Sequence, residues 1–320
     1  MEASRRTLRA AISGAICVVV LLAMAPAANA GWSDPKNLSD IPGTHPDVNT
    51  PYVDGCPMQS PNGLRLYMAS NRPGGEGGLD IWMATRASQR DPWGEPVNLG
   101  APVNSSADDF CPTPVRRGRL FFVSTRDGGC GGADIYATRH RPGGFRPARH
   151  LGCEVNSEAG EASPSLVEVG RRPMLFFSSN RPGGFAPEPM GGLPDSDIYV
   201  STRRSGDWST PSLAEGLNTD AEDARPNVRH DGLMVVFDST RPGTLGGPDI
   251  FVARRARLRA DWSTPRHLPA PINSEASESR ASLSWDGATM YFGSNRPGGE
   301  PDPVTALPSN DIYRTRRHAS

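Results

Sequence analysis

A five-bladed β-propeller is the fold this sequence predicts. Three observations predict it: a motif that returns five times, four strand-like pieces per return, and chain ends that complement each other. The motif is first seen as "SNRPGGEGGLDIW", Ser70 to Trp82. It returns as "STRDGGCGGADIY", "SNRPGGFAPEPMGGLPDSDIY", "STRPGTLGGPDIF" and "SNRPGGEPDPVTALPSNDIY". Aligned on the Asp-Ile pair, the copies place Asp80, Asp134, Asp197, Asp249 and Asp311 at intervals of 54, 63, 52 and 62 residues. Such a period marks a repeat architecture.

The elements of each repeat follow in order. A first strand comes after an Asn-Ser/Thr turn, as in "EASPSLV". A strongly apolar second strand follows, as in "LRLYMAS" or "LMVVFDS". Between the two, Asn62-Gly63, Asp231-Gly232 and Asp286-Gly287 supply the positive φ that a tight hairpin needs. The third strand is "DIWMATR" and its relatives. A fourth opens on an aromatic: Trp93, Phe145, Trp208 and Trp262. Four short antiparallel strands per unit make a propeller blade. A helical solenoid is excluded by 35 Gly and 32 Pro, which break helices.

The chain ends soon after its fifth third-strand, "DIYRTRR", so that blade lacks a fourth strand. Near the start, "GWSDPKNL" is a fourth strand without a blade. The strand from Trp32 to Leu38 should therefore pair with Asp311 to Thr315 and close the ring, leaving no open edge there.

The motifs "SNRPGG…GG.DIY" and "W..P..L" followed by an Asn resemble the WD-repeat-like segments of TolB-type propellers of bacterial envelope proteins. The resemblance spans nearly the whole chain after residue 30 and implies the propeller fold. TolB itself has six blades and a preceding α/β domain, which this sequence lacks, so its partners are not implied.

Residues 1–30 read as a signal peptide. Arg5, Arg6 and Arg9 precede an apolar run, Ala11 to Met24, too short to span a bilayer comfortably, and Ala28 and Ala30 carry the spacing a signal peptidase reads. "SRRTLR" also resembles a twin-arginine signal, so two export routes stay open. Residues 31–320 then form one domain, periplasmic or secreted, with a net charge of −3 after the loss of three Arg and Glu2. No basic tail speaks for nucleic acid, and no second apolar run offers a membrane span. A monomer without cofactor or metal is expected.

Four cysteines remain, an even number, which in an exported chain suggests disulfides. Cys130 and Cys153, both placed on the channel-mouth face, are expected to pair. Cys56 and Cys111 occupy equivalent innermost positions in neighbouring blades. They are either a second bridge or a thiol pair able to hold a soft metal ion.

Each repeat pairs an Arg at the start of the second-to-third-strand loop with the Asp at its end: Arg72 with Asp80, Arg126 with Asp134, Arg181 with Asp197, Arg241 with Asp249, Arg296 with Asp311. A guanidinium there can also hold carbonyls of the Gly turn. This motif reads as scaffold, and the aromatics that open the fourth strands read as packing between blades.

Chemistry could sit at the channel mouth. Five residues after Asn49, Asn104, Asn156, Asn218 and Asn273 stands an acid: Asp54, Asp109, Glu161, Asp223 and Glu278. Seven residues after stand Cys56, Cys111, Ser163, Arg225 and Arg280. The acids could ring the mouth and attract a cation or basic group, or cap N–H groups of their own turns. Two loops are longer, with 16 and 15 residues from Arg to Asp instead of 8. They add Glu188, Met190, Asp195, Glu300 and Asp302 to the same face.

No zinc-protease, serine-hydrolase or phosphate-loop motif is present, and the six His form no metal-spaced pair. The leading expectation is a non-catalytic exported module that binds a protein, peptide or cell-envelope component at its channel mouth. The alternative is a glycan-active enzyme or lectin that uses carboxylates there, since five-bladed propellers host glycosidases and those need two carboxylates.

Overall fold

The computed structural model describes residues 31–170, 172–185, 195–299, 301–303 and 308–318. The signal-peptide reading of residues 1–30 lies outside them, as do Glu188, Met190 and Glu300.

The described residues form five small antiparallel sheets arranged as a five-bladed propeller. From the inside outward, blade 1 is Asp54–Gln59, Arg65–Ser70, Asp80–Thr85 and Val97–Asn98. Blade 4 repeats this with Asp223–Val228, Met234–Ser239, Asp249–Arg254 and Arg266–His267. Blades 2 and 3 run inside-out from Asp109–Val115 and Glu161–Val167 and carry a fifth, two-residue strand each. Blade 5 takes Glu278–Leu283, Thr289–Ser294 and Asp311–Arg316 from the end of the chain and Lys36–Asn37 from its beginning. Lys36 pairs with Arg314 and Asn37 with Tyr313, and Trp32 bridges Arg317, so the expected closure is observed.

The second strands are buried along nearly their whole length, which explains why they read as continuous apolar runs. At the hairpins, Gly63, Gly232 and Gly287 adopt φ of 72°, 75° and 70°, as the Asn-Gly and Asp-Gly dipeptides required.

The five aromatics bind blade to blade. Trp93, fully buried, packs with Tyr291 and Ile312 of blade 5. Phe145 packs with Tyr67 and Ile81 of blade 1, Trp208 with Phe121 of blade 2, Trp262 with Phe176 of blade 3, and Trp32 with Met234 of blade 4. One placement differs from the sequence reading. Trp93 and Trp262 precede their outer strands, while Phe145 and Trp208 sit in short strands that pair antiparallel with the end of the third strand.

Both cysteine pairs are disulfides. Cys130–Cys153 has Cα atoms 5.7 Å apart, and Cys56–Cys111 joins the innermost strands of blades 1 and 2 with Cα atoms 4.9 Å apart. Disulfides fit an exported protein. No helix among the described residues is long and apolar enough to cross a membrane.

Candidate functional site

Among the described residues, the recurring Arg does not form its ion pair with the Asp at the end of its own loop. It reaches back to the acid that opens the blade: Arg72 to Asp54, Arg126 to Asp109, Arg181 to Glu161, Arg241 to Asp223 and Arg296 to Glu278. In blade 3 the contact is 2.9 Å, and in blade 5 it is 3.0 Å. The same guanidinium donates from Nε to the serine that ends the second strand and from Nη2 to a carbonyl before the frame Asn, as Arg181 does to Ser179 and Val155. It lies over the aromatic of the Asp-Ile-aromatic triplet, 4.9 Å from Tyr199 in that blade.

Each frame acid also accepts from the turn before it. Asp54 takes the backbone N–H and hydroxyl of Thr50, and Glu161, Asp223 and Glu278 take the same pair from Ser157, Thr219 and Ser274. All five acid side chains are fully buried. Burial pushes the Asp54 carboxyl up, against the pull of Arg72.

The aspartates that end the loops serve the loops. Asp134 Oδ2 accepts from the Cys130 N–H at 2.8 Å and Asp249 Oδ2 from the Leu245 N–H at 2.7 Å, while Asp311 Oδ2 accepts from the amide of Asn37 in the closing strand at 2.8 Å. A glycine in the loop lies against the next blade: a Cβ on Gly77 would stand 2.1 Å from the Ala107 carbonyl oxygen, and one on Gly246 2.2 Å from that of Glu275. The fivefold motif is thus a clasp, within a blade and between blades.

What lies beyond the clasp gathers over blades 4 and 5. The residue seven after the frame Asn is left-handed in every blade, with φ of 48° at Cys56 and Cys111, 49° at Ser163, 56° at Arg225 and 55° at Arg280. Each sits where the pairing of first and second strands shifts register. The five residues line the channel, and its cavity there is about 30 Å3, space for a water or two and too small for a sugar ring. One side carries the Cys56–Cys111 disulfide, with Ser163 Oγ 3.2 Å from Cys111 Sγ. The other carries the two arginines.

These arginines are tied to a carboxylate that the sequence reading passed over. Asp238, fully buried, accepts from Arg225 Nε at 2.5 Å and from the Arg280 backbone N–H at 2.9 Å. The signal was present: in the second strands of the other blades this position is Ala69, Val123, Ser178 and Gly293. Arg225 also pairs with Glu222 at 3.3 Å. Burial raises the proton affinity of Glu222 and Asp238, while Arg225 opposes the rise on both; the charges of Asp238 and Asp195 add to it at Glu222. Burial and the neighbouring Arg225 bring Arg280 down to about 10. Its Nε is buried and has no hydrogen-bond partner among the described residues. A group that can carry a proton thus stands beside two cations and a buried carboxylate. Asp302, from the second long loop, is buried.

Comparison with solved structures places this geometry among similar folds. An α-L-arabinofuranosidase from Podospora anserina, solved with cellotriose, aligns with a TM-score of 0.54 and 13% identity over 91% of this chain and 98% of that one. A family-62 enzyme from Coprinopsis cinerea, also an α-L-arabinofuranosidase, aligns at 0.53 and 13% over 90% and 97%. An α-L-arabinofuranosidase from Lactobacillus brevis aligns at 0.52 and 12% over 85% and 92%. TolB propellers are also among the neighbours, the one from Agrobacterium tumefaciens at 0.48 and 14%. No protein-family model and no curated protein matches the chain. These likenesses concern the fold. They run against the expectation of a non-catalytic protein-binding module, because glycoside hydrolases of this fold align over most of the chain.

Proposed function

We propose that this exported propeller is glycan-active and that its site is the channel mouth over blades 4 and 5. The observation that carries this reading is the Glu222–Arg225–Asp238–Arg280 cluster, which departs from the repeat at a position where blades 1, 2 and 3 have Cys, Cys and Ser. The five frame acids are consumed by the clasp, so the catalytic carboxylates are sought in this cluster.

Glu222 is the proton donor in this reading. Its side chain is 26% exposed, and burial favours its protonated form, as a general acid for glycosidic bond cleavage requires. Asp195, on the same face, is the second carboxylate. Asp238 is a positioning residue that fixes Arg225, whose partly exposed guanidinium holds polar groups of a sugar at the mouth, outside the narrow channel.

The solved neighbours supply the first compounds to try: aryl α-L-arabinofuranosides, cellotriose and xylotriose. Purified protein should release arabinose or the aryl group, with activity falling as rising pH deprotonates Glu222. Glu222→Gln should remove turnover and leave sugar binding in place, whereas Glu161→Gln should act through stability alone. Sugar binding without turnover in the unaltered protein would make it a lectin. Absence of binding and turnover across neutral and acidic glycans would overturn the reading.

A further inference from the structure

The opposite end of the propeller carries a cleft separate from the channel mouth. With a volume of about 510 Å3, it opens at the seam between blades 1 and 5, walled by Gln59, Arg86, Arg90, Tyr291 and Arg316. Arg314 belongs to the same group. It stands two residues from Arg316 in one strand and therefore on the same face, and its charge and those of Arg86 and Arg316 act on one another. Lys36, opposite Arg314 in the ladder, adds a further exposed cation to that face.

Among the described residues, none of Arg86, Arg90, Arg314 and Arg316 takes part in an ion pair. Asp286, at the rim, already receives the Ser284 hydroxyl at 2.6 Å and the Ala288 N–H at 3.0 Å. The arginine-rich cleft between blades 2 and 3 is different, for it contains Glu154 and Asp207, and its Arg119 is paired with Glu168. Like charges that outnumber their counter-charges weaken a fold. Burial lowers the proton affinity of Arg86 and Arg314, and the charge of Arg316 lowers it further at both, while Asp91 opposes this at Arg86.

We propose that this cleft binds an acidic glycan, a chain of sugars that carry carboxylates. The guanidinium fork matches a carboxylate with two parallel hydrogen bonds. Arg314 and Arg316 stand about 7 Å apart along their strand, which suits a chain with repeated charges better than one small ion. Gln59, half-buried, donates to the buried Tyr291 hydroxyl at 3.2 Å, and its side-chain oxygen is left as a partner for a sugar hydroxyl. The ligand would touch blade 1 through Arg86 and Arg90 and blade 5 through Arg314 and Arg316, across the seam that the Lys36–Asn37 strand closes. The choice of a sugar rests on the glycan-active reading, but the site is separate from Glu222.

The test is titration calorimetry at low and moderate salt with an oligogalacturonate, a neutral oligosaccharide of equal length, and tripolyphosphate. Binding of the oligogalacturonate is expected, weakening at least tenfold between the two salt conditions and absent for the neutral chain. Arg90→Glu with Arg316→Glu should abolish it, since both residues are exposed and, among the described residues, neither side chain makes a hydrogen bond or ion pair. Circular dichroism and melting of that double variant should match the parent. Glu222→Gln should bind the oligogalacturonate as the parent does, so failure at the channel mouth and failure here are distinguishable. Equal binding of the neutral chain, unaltered binding by the double variant, or binding of tripolyphosphate alone would each overturn the proposal.

Discussion

Arg296 Nη2 stands 3.0 Å from Glu278 Oε1 and ties the end of the second strand of blade 5 to the start of the first. The same guanidinium reaches the Ile272 carbonyl at 2.7 Å and Ser294 Oγ at 3.1 Å. Four other blades repeat the arrangement. Its carboxylate is fully buried, so removing the partner strands a charge rather than releasing one to water.

Arg296→Ala should therefore destabilise the fold by about 3 kcal/mol, the cost of leaving a buried ion unpaired. Urea unfolding measures this. Arg90→Ala, an exposed control, should lie within about 0.5 kcal/mol of the parent. Equal midpoints for the two variants would refute the clasp.

The ring closure gives the second prediction. Removing residues 31–40 takes away the strand that pairs with Tyr313 and Arg314 and the Asn37 amide that serves Asp311. The third strand of blade 5 then becomes an open edge, ready to pair with another chain. The truncated protein should melt well below the parent and self-associate in size-exclusion chromatography. A truncated form with an unchanged melting temperature and a monomeric elution volume contradicts closure.

The fold was legible because every level of the sequence repeats with one period: the Asp-Gly hairpins, the apolar second strands and the Asp-Ile triplets agree. The clasp was half legible. Arg72 and Asp80 are neighbours in sequence, eight residues apart, and this proximity suggested their pairing. The true partner, Asp54, is 18 residues upstream and comes into reach only because the first and second strands pair with Asp54 opposite Ser70. Asp238 was hidden for another reason. It lies inside an apolar run, and its role depends on Arg225 and Arg280, which belong to the first strands of two blades.

The third prediction concerns the cysteines. Peptide mapping without reduction should recover Cys130 joined to Cys153 and Cys56 joined to Cys111. Cys153→Ser, which opens a loop with a sequence separation of 23, should cost about 3 kcal/mol in the chain-entropy model. A peptide joining Cys130 to Cys56 or Cys111 is incompatible with this blade alignment.

The last prediction is a pH dependence with a definite sign. Burial pushes the Asp311 carboxyl up to about 6, helped by the negative charge of Asp54, although the Asn37 amide and the Ser309 hydroxyl favour its ionised form. The ordinary value is 3.8. Between these two values the folded chain holds a proton that the unfolded chain has released, so the slope of stability against pH is negative there. The contribution of this group is fully present below the ordinary value and is lost as pH rises through about 6. Asp311→Asn keeps the shape but cannot ionise. Its stability should therefore fall less than that of the parent between pH 4 and pH 6, as read by urea midpoints at closely spaced pH. Because Asn37 donates to Asp311 Oδ2 at 2.8 Å, the substituted amide must present its oxygen to that strand, and it can do so by rotation. A parallel pair of stability curves for the parent and Asp311→Asn would show that Asp311 ionises in the folded chain as it does in the unfolded one.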